Sequence, residues 1–266
     1  MPVTTPAMSA NAGMLESQRI RAEIRAGRMT GNSRGQAPGF VHCNLAIMPK
    51  AYAFDFMLYC QRNQRACPVL EVLDAGDPKP HKLAPDADLR TDLARYSVFV
   101  DGVRQNDRTD ISDLWRDDLV TFLIGSGITF DEAFERAGVP TDKDRWVLRT
   151  NQPTEQAGPF KGDLIVTMRW LTPQQAIIAT QVSARFPFNH GAPIHIGDPA
   201  GIGADLKNPM FGGPVPEMPA GKIALFWACG VTPQSAAEAA KLPLFIVHAA
   251  AHGFITDMRA ESLMTP

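Results

Sequence analysis

Short apolar runs that lack polar alternation constrain the fold of this chain more than any other feature. A strand with one solvated face alternates apolar and polar residues, whereas a strand covered on both faces is apolar throughout. Helical or loop segments separate the runs, and Pro49 is placed to open a helix directly after the first run. The pattern predicts a layered α/β fold with strands buried on both faces. The runs span residues 40–48, 69–73, 96–101 and 119–124.

The middle of the chain has a different texture, with short helices and strands in a more mixed order. Thr172 and Pro173 predict a helix start, because Thr caps helices and Pro suits their first turn. This helix is expected to run to Ala184. Strands are predicted at 146–149, 163–170 and 192–196, and a short helix at 130–137.

The apolar α/β pattern returns near the end of the chain, with predicted strands at 223–228 and 244–247. We therefore predict an α/β domain built from both chain ends, with an inserted α+β domain between them. Residues 14–125 and 222–266 are assigned to the first domain and 126–221 to the second. Residues 1–13 are predicted to form a flexible arm.

The charge balance argues against two classes of partner. The 266 residues include 26 Lys and Arg against 28 Asp and Glu, a formal net charge of −2. This gives no electrostatic reason to expect a nucleic acid or an anionic membrane as partner. The apolar stretch 244–255 is too short to span a bilayer. We expect no nucleic-acid and no membrane partner, and the sequence leaves a homo-oligomer open.

The four cysteines show neither a CxxC pair nor the dense spacing of a disulfide framework. Such cysteines are typical of buried free thiols in a reducing cytoplasm. Residues 1–13 also lack the basic start and apolar core of a secretory signal. The sequence therefore predicts a cytoplasmic location.

Four of the six histidines cluster late in the chain, at 190, 195, 248 and 252. His195 lies on a predicted strand that stops at Asp198, because a residue before proline is restricted to extended conformations. Ligands in α/β proteins bind beyond strand ends. Imidazole titrates near neutral pH, which suits proton transfer. His195, His248, His252 and Asp198 are therefore our candidate catalytic residues.

The spacing of His248 and His252 would place both imidazoles on one face of a helix, which also suits a metal. No HExxH motif accompanies them, since residue 249 is Ala, and the preceding residues predict a strand. Metal binding, acid–base catalysis and ordinary polar packing stay open from this spacing alone. We predict no metal and no other cofactor.

A small carboxylate ligand is predicted from residues near element ends. Arg149 and Arg185 flank predicted elements, and a guanidinium holds a carboxylate through paired hydrogen bonds. Gly230 to Thr232 lie at a predicted helix start, where free N–H groups suit an anion. Asp77 follows a strand in the same Gly-Asp-Pro setting as Asp198. Arg149, Arg185, Asp77, Gly230 and Thr232 are therefore our candidate substrate-binding residues.

Several long blocks carry a resemblance to a known family. The sequence resembles the bacterial hydro-lyase family related to D-glutamate cyclase over about residues 16–259. It departs from that family's pattern at Ser126, Gln156, Met210 and Gly213. The blocks are PGFVHCNLAIMPKAYAFDFMLYCQRNQRACPVLEV, DLRTDLARY, TDISDLWRDDLVTFLIG, ARFPFNHGAPIHIGDP, FWACGVTPQ and HxxxHGFITD.

This resemblance implies an α/β fold with a distinct α+β domain, and a lyase that closes D-glutamate to 5-oxo-D-proline with loss of water. The candidate histidines would then serve as acid and base, and Arg185 or Arg149 would anchor the α-carboxylate. Amides of 230–232 would stabilise the developing oxyanion, while Asp77 and Asp198 would orient the ammonium group or the imidazoles. The alternatives are α,β-dehydration of a hydroxy acid and carboxylate binding without catalysis.

Overall fold

The computed structural model describes residues 14–141 and 145–265, so the predicted arm at 1–13 lies outside the described residues. Within these ranges the chain forms helices around two antiparallel sheets, which confirms the α/β fold class. None of the helices in the described part is long and apolar enough to cross a membrane. The elements are α1 (Glu16–Arg25), β1 (Phe40–Pro49), α2 (Lys50–Arg62), β2 (Val69–Val72), β3 (Tyr96–Val100), β4 (Val103–Arg104), β5 (Leu119–Gly125), α3 (Asp131–Arg136), β6 (Arg145–Pro153), β7 (Asp163–Leu171), α4 (Pro173–Ala184), β8 (His195–Ile196), β9 (Ile223–Ala228), α5 (Val231–Ala239), β10 (Phe245–His248) and β11 (Phe254–Arg259).

The first sheet has the strand order β2-β5-β1-β10-β3-β4, with β11 also paired to β1. Every residue of β1 and β5 is buried, as the missing alternation predicted. Helix α2 covers one face, where Phe56 packs with Met48 and Phe122. On the other face, Ile47 packs with apolar residues of the loop between β2 and β3. Burial on both faces therefore places this sheet at the centre of the fold.

The second sheet has the strand order β6-β7-β9-β8. We expected the strand at 223–228 to belong with the chain ends, but β9 pairs with β7 from Val166↔Ala228 to Leu171↔Ile223. The apolar run predicted the strand correctly, but its partner depends on pairing that local sequence does not encode. The division of the chain into domains at 126–221 stays a prediction.

Local signals placed most element boundaries well. Thr172 caps α4 by accepting a hydrogen bond from the Gln175 N–H, and Pro173 is the first residue of this helix. The strand predicted at 192–196 is limited to its last two residues, and β6 extends four residues beyond Arg149.

Two connections join the sheets. The chain leaves β5 of the first sheet at Gly125 and enters the second sheet through α3, and it returns from β9 through α5 to β10. The candidate site lies where these connections meet.

Candidate active site

A cavity of about 380 Å³ lies between the two sheets, and both connections contribute to its wall. Strands β6 and β7 supply Arg145 and Arg169, and the segment before β1 supplies Arg34. His190 comes from the turn before β8, and His248 ends β10. Residues distant in sequence therefore meet in one concave site, as small-molecule sites require.

The charge of this wall is positive. Three arginines line it, and none of the described residues lining it is Asp or Glu. The Arg34 guanidinium has no hydrogen-bond or ion-pair partner among the described residues. Partial burial and the neighbouring Arg145 lower the pKa of Arg34, and Asp131 only partly opposes this shift. An anionic ligand would counteract the shift, because an opposite charge favours the protonated guanidinium.

The other two arginines share one carboxylate. Asp131 Oδ1 accepts a hydrogen bond from Arg169 Nη2 at 2.8 Å and another from Arg145 Nη2. Asp131 lies at the start of α3 and lines an adjacent cavity of about 490 Å³ rather than the first one. With Arg34, the cluster holds three guanidinium groups against one carboxylate, which leaves it suited to an anion.

His190 is buried and presents a free ring nitrogen. Its Nδ1–H donates to the Arg65 carbonyl at 2.9 Å, so Nε2 is the unprotonated nitrogen of the neutral ring. Burial lowers the pKa of His190 to about 4. The residue has a φ of 78°, a left-handed conformation that costs energy for a non-glycine residue. This arrangement holds a neutral proton acceptor in the cavity wall.

His248 has the opposite tautomer. Its Nδ1 accepts from the Leu45 N–H at 3.2 Å and lies 2.9 Å from Gln234 Nε2. The proton of the neutral ring is therefore on Nε2, which is a hydrogen-bond donor. Burial lowers the pKa of His248 to about 4. The two lining histidines are thus complementary, one with a free acceptor nitrogen and one with a donor.

Gly230 precedes α5 and allows close packing at the cavity wall. A Cβ built on it would lie 1.9 Å from Asn44 Nδ2. That amide group donates to the Gly125 carbonyl at 3.1 Å, so it is held against β5. Gly230 therefore lets the first turn of α5 approach β1, and both elements line the cavity.

The structure brings only two of the predicted site residues, His248 and Gly230, into this cavity. His195 lies on β8, where Nε2 donates to the Asp198 carbonyl at 2.7 Å. The Asp198 carboxylate accepts from the Ala200 N–H. His252 hydrogen-bonds through Nδ1 to the Ala250 carbonyl at 2.7 Å. His195 and Asp198 therefore make local turn contacts outside the cavity. His252 lies close enough to His248 to lower the pKa of that imidazole, but it does not line the cavity.

The remaining predicted binding residues also lie elsewhere. Arg149 is 3.6 Å from Asp163, and Arg185 contacts a carbonyl near the C-terminus at 3.4 Å. Asp77 pairs with His81 at 2.6 Å on the surface. Thr232 is buried, and its hydroxyl accepts from the Ile165 N–H. Arg149, Asp77 and Thr232 therefore have protein partners away from the cavity.

Sequence reasoning missed Arg34, Asp131, Arg145 and Arg169, and it did not select His190. Arg34 lies within the polar segment 30–39, which shows neither helical nor strand periodicity and no known motif. Arg145 and Arg169 become neighbours through strand register, which pairs them directly. The charges on these residues were visible in the sequence, but their convergence was not.

Two further groups bear on the chemistry. Burial raises the pKa of the Cys229 thiol in the cavity wall, so this thiol is protonated and a poor nucleophile. The described residues contain no group of three or more His, Cys, Asp or Glu side chains that could hold a metal. The neutral imidazoles and the arginine cluster suit proton transfer and carboxylate binding.

Comparison with known proteins identifies the family. The family model of D-glutamate cyclase matches residues 120–257. A relative from Afipia carboxidovorans, named "Putative hydro-lyase", is 47% identical over 249 residues, covering 92% of each chain. Relatives from Jannaschia sp. and Bacillus licheniformis are 47% and 46% identical and cover 93% and 91% of this chain and 94% of their own. The chain belongs to the D-glutamate cyclase family.

Family membership confirms the predicted resemblance and an enzyme of the lyase class. The segment that the D-glutamate cyclase model matches contains Asp131, Arg145, Arg169 and both cavity histidines. Arg34 and Asn44 lie before it.

Among solved structures, a nitrogen repressor-like protein from Methanococcus jannaschii aligns with a TM-score of 0.40 at 14% identity, over 94% of this chain and 97% of its own.

Proposed function

We propose that this enzyme removes water from a small amino carboxylic acid in the arginine-lined cavity, with ring closure of D-glutamate to 5-oxo-D-proline as the reaction. One observation carries the proposal. The Arg34 guanidinium has no partner within residues 14–141 and 145–265, and it lies in a wall that also presents two neutral histidines. The family to which the chain belongs supports the choice of D-glutamate.

Substrate binding starts from the positive charge of the wall. Arg34 would bind a substrate carboxylate through paired N–H···O bonds, which fixes its orientation as well as its charge. The same positive field disfavours the ammonium form of the substrate, because like charges lower the pKa of an amine. The neutral amine is the form that attacks a carboxyl carbon, so the field favours the reactive species.

His190 is our candidate for proton transfer. Its free Nε2 would accept a proton from the substrate ammonium group, and the neutral amine that results attacks the distal carboxyl carbon. His190 would return this proton to one oxygen of the tetrahedral intermediate and then transfer the second nitrogen proton to the same oxygen. That oxygen leaves as water when its C–O bond breaks, and the C–N bond that remains is the amide bond of the ring. A bound carboxylate raises the pKa of a nearby imidazole, which brings His190 closer to the range that acid–base catalysis needs.

His248 would act differently, as a hydrogen-bond donor. A neutral imidazole that gives up its Nε2 proton becomes an anion, so His248 is suited to stabilise negative charge on the carboxyl oxygen rather than to protonate it. Helix α5 begins at the same wall, so the partial positive charge of its N-terminus would add to this stabilisation, although the Thr232 N–H itself donates to the Cys229 carbonyl. No electrons are exchanged in this ring closure, so the mechanism uses no redox cofactor.

The test is product formation from D-glutamate by the purified protein, measured as 5-oxoproline by liquid chromatography and mass spectrometry. His190→Gln is expected to lower kcat by about 10²- to 10⁴-fold, the usual contribution of a general acid–base group. His195→Gln is the matched control, because that imidazole lies outside the cavity. Absence of product with the wild-type protein, or loss of activity in His195→Gln alone, would contradict the proposal.

A second reaction uses the same groups. An unprotonated His190 Nε2 could also remove the α-proton of a hydroxy acid, with loss of the β-hydroxyl as water and formation of an enoate. The name hydro-lyase of the relatives covers this reaction as well. Ultraviolet absorbance of an enoate during a screen of hydroxy acids distinguishes it from ring closure. Binding of amino acids without turnover would instead support carboxylate binding alone.

A further inference from the structure

Two arginines face each other across a strand pair in the second sheet. Arg145 on β6 and Arg169 on β7 are direct partners in the register. Like charges directly opposite each other on neighbouring strands are destabilising. The Asp131 carboxylate relieves this repulsion by accepting a hydrogen bond from each guanidinium on the same oxygen.

The two arginines depend on Asp131 to different degrees. Arg169 is also fixed by stacking over the Phe134 and Trp227 rings, at 5.2 and 6.0 Å from the ring centres, and by the Pro140 carbonyl at 3.3 Å. For Arg145, Asp131 is the side-chain partner found among the described residues, and its buried Nε has none. Loss of Asp131 would therefore release Arg145 more than Arg169.

One carboxylate compensates only one of two guanidinium charges. The pair therefore keeps one positive charge at a wall that Arg145 and Arg169 both line. Asp131 itself does not line that cavity, so it is not in a position to touch the ligand. Its influence on a ligand is therefore indirect, through its charge or through the placement of the arginines that it contacts, of which Arg145 depends on it more.

We propose that Asp131 is a positioning residue that holds Arg145 in the orientation needed to bind a substrate carboxylate. The proposal rests on the proposed function only in taking a carboxylate as the ligand of this cavity. Asp131 could act through its charge or by positioning Arg145, and these two roles predict opposite effects on anion binding when the carboxylate is neutralised. If Asp131 acted only through its charge, Asp131→Asn would add positive potential and tighten anion binding. If it positions Arg145, the same substitution weakens binding.

The experiment measures the affinity of the full chain for glutarate by isothermal titration calorimetry. Glutarate carries two carboxylates and no amine, so it cannot undergo ring closure. We expect about 10- to 100-fold weaker binding in Asp131→Asn, the effect of losing a placed charge-assisted hydrogen bond. Asp131→Glu keeps the charge but moves the carboxylate by one methylene, and it is also expected to bind more weakly. Glu132→Gln is the matched control, because Glu132 pairs with Arg136 instead.

Arg145→Gln provides a second measurement through the residue on which Asp131 acts. Asp131→Asn and Arg145→Gln should each weaken glutarate binding. In the double variant the two losses of binding free energy should not add, since both substitutions remove the same contact. In the kinetics with D-glutamate, the loss is expected mainly in KM, whereas a general loss of folded protein would lower kcat as well.

Three results with the variants would overturn the proposal. These are tighter or unchanged glutarate binding in Asp131→Asn, additive losses in the double variant, and failure of Asp131→Glu to fold, which would assign a structural role. Wild-type protein that does not bind glutarate would overturn it too. Wild-type protein that binds glutarate but makes no 5-oxoproline would contradict the proposed function and leave the positioning role supported by the affinities.

Discussion

Replacement of Arg34 by Gln should weaken carboxylate binding without lowering stability. The guanidinium has no side-chain partner among the described residues, so the folded protein loses no ion pair when it is removed. A hydrogen bond to a charged group contributes about 1.5–3 kcal/mol, and loss of one in the complex corresponds to roughly 10- to 150-fold weaker binding. The free energy of unfolding should change by less than about 0.5 kcal/mol, as for surface substitutions that break no contact.

Glutarate titration calorimetry and urea denaturation measure the two effects separately. The matched control is Arg28→Gln, in the same segment of the chain. Arg28 forms an exposed ion pair with Glu23 at 2.6 Å, and such pairs contribute little. Arg28→Gln should therefore keep wild-type affinity. Unchanged glutarate affinity in Arg34→Gln, or a large loss of stability, would refute the assignment of Arg34 as a free anion-binding group.

Three further substitutions or conditions have definite expected results. Ala251→Gly should raise the free energy of unfolding by about 1 kcal/mol in urea denaturation, because Ala251 has a left-handed φ of 62°. Gly230→Ala should lower it by roughly 1–3 kcal/mol, because the new Cβ would overlap the Asn44 amide. Burial lowers the pKa values of three histidines, His42, His190 and His248, from 6.5 to about 4. The unfolded chain binds more protons between these values, so stability should fall from pH 6.5 to 4 by up to about 1.4 kcal/mol per pH unit for each histidine.

Both substitutions have a control variant. Ala22→Gly within α1 should have the opposite sign to Ala251→Gly, since glycine destabilises a helix by about 1 kcal/mol. A Cβ built on Gly31 has no atom within 4 Å, so Gly31→Ala should leave the free energy of unfolding unchanged. Equal losses of unfolding free energy in Gly31→Ala and Gly230→Ala would contradict the steric argument. A lower unfolding free energy in Ala251→Gly would contradict the argument from backbone conformation. An unfolding free energy that does not change between pH 6.5 and 5 would contradict the argument from the histidine pKa values.

Local sequence patterns predicted the elements well because their causes are local. The missing alternation in residues 40–48 follows from burial on both faces, and Thr172 and Pro173 stabilise a helix start through their own geometry. Which strands pair with each other was harder to predict from the sequence. The run 223–228 is apolar enough for either sheet, and its pairing with β7 is decided by tertiary packing.

The candidate site was only partly predictable for the same reason. His248 and Gly230 lie at element ends that pattern alone could locate. His195 also lies on a strand, but its ring turns back to the Asp198 carbonyl in its own turn. The cluster of Arg145, Arg169 and Asp131 forms through strand register and the path of α3, which only the folded chain brings together.

A crystal structure of the protein soaked with glutarate tests the central claim most directly. We expect a carboxylate in the cavity between the sheets, with guanidinium nitrogens of Arg34 about 2.7–2.9 Å from its oxygens and the ligand in contact with His190 or His248. Glutarate bound instead at Arg149 or Arg185, with the cavity free of ligand, would contradict the claim.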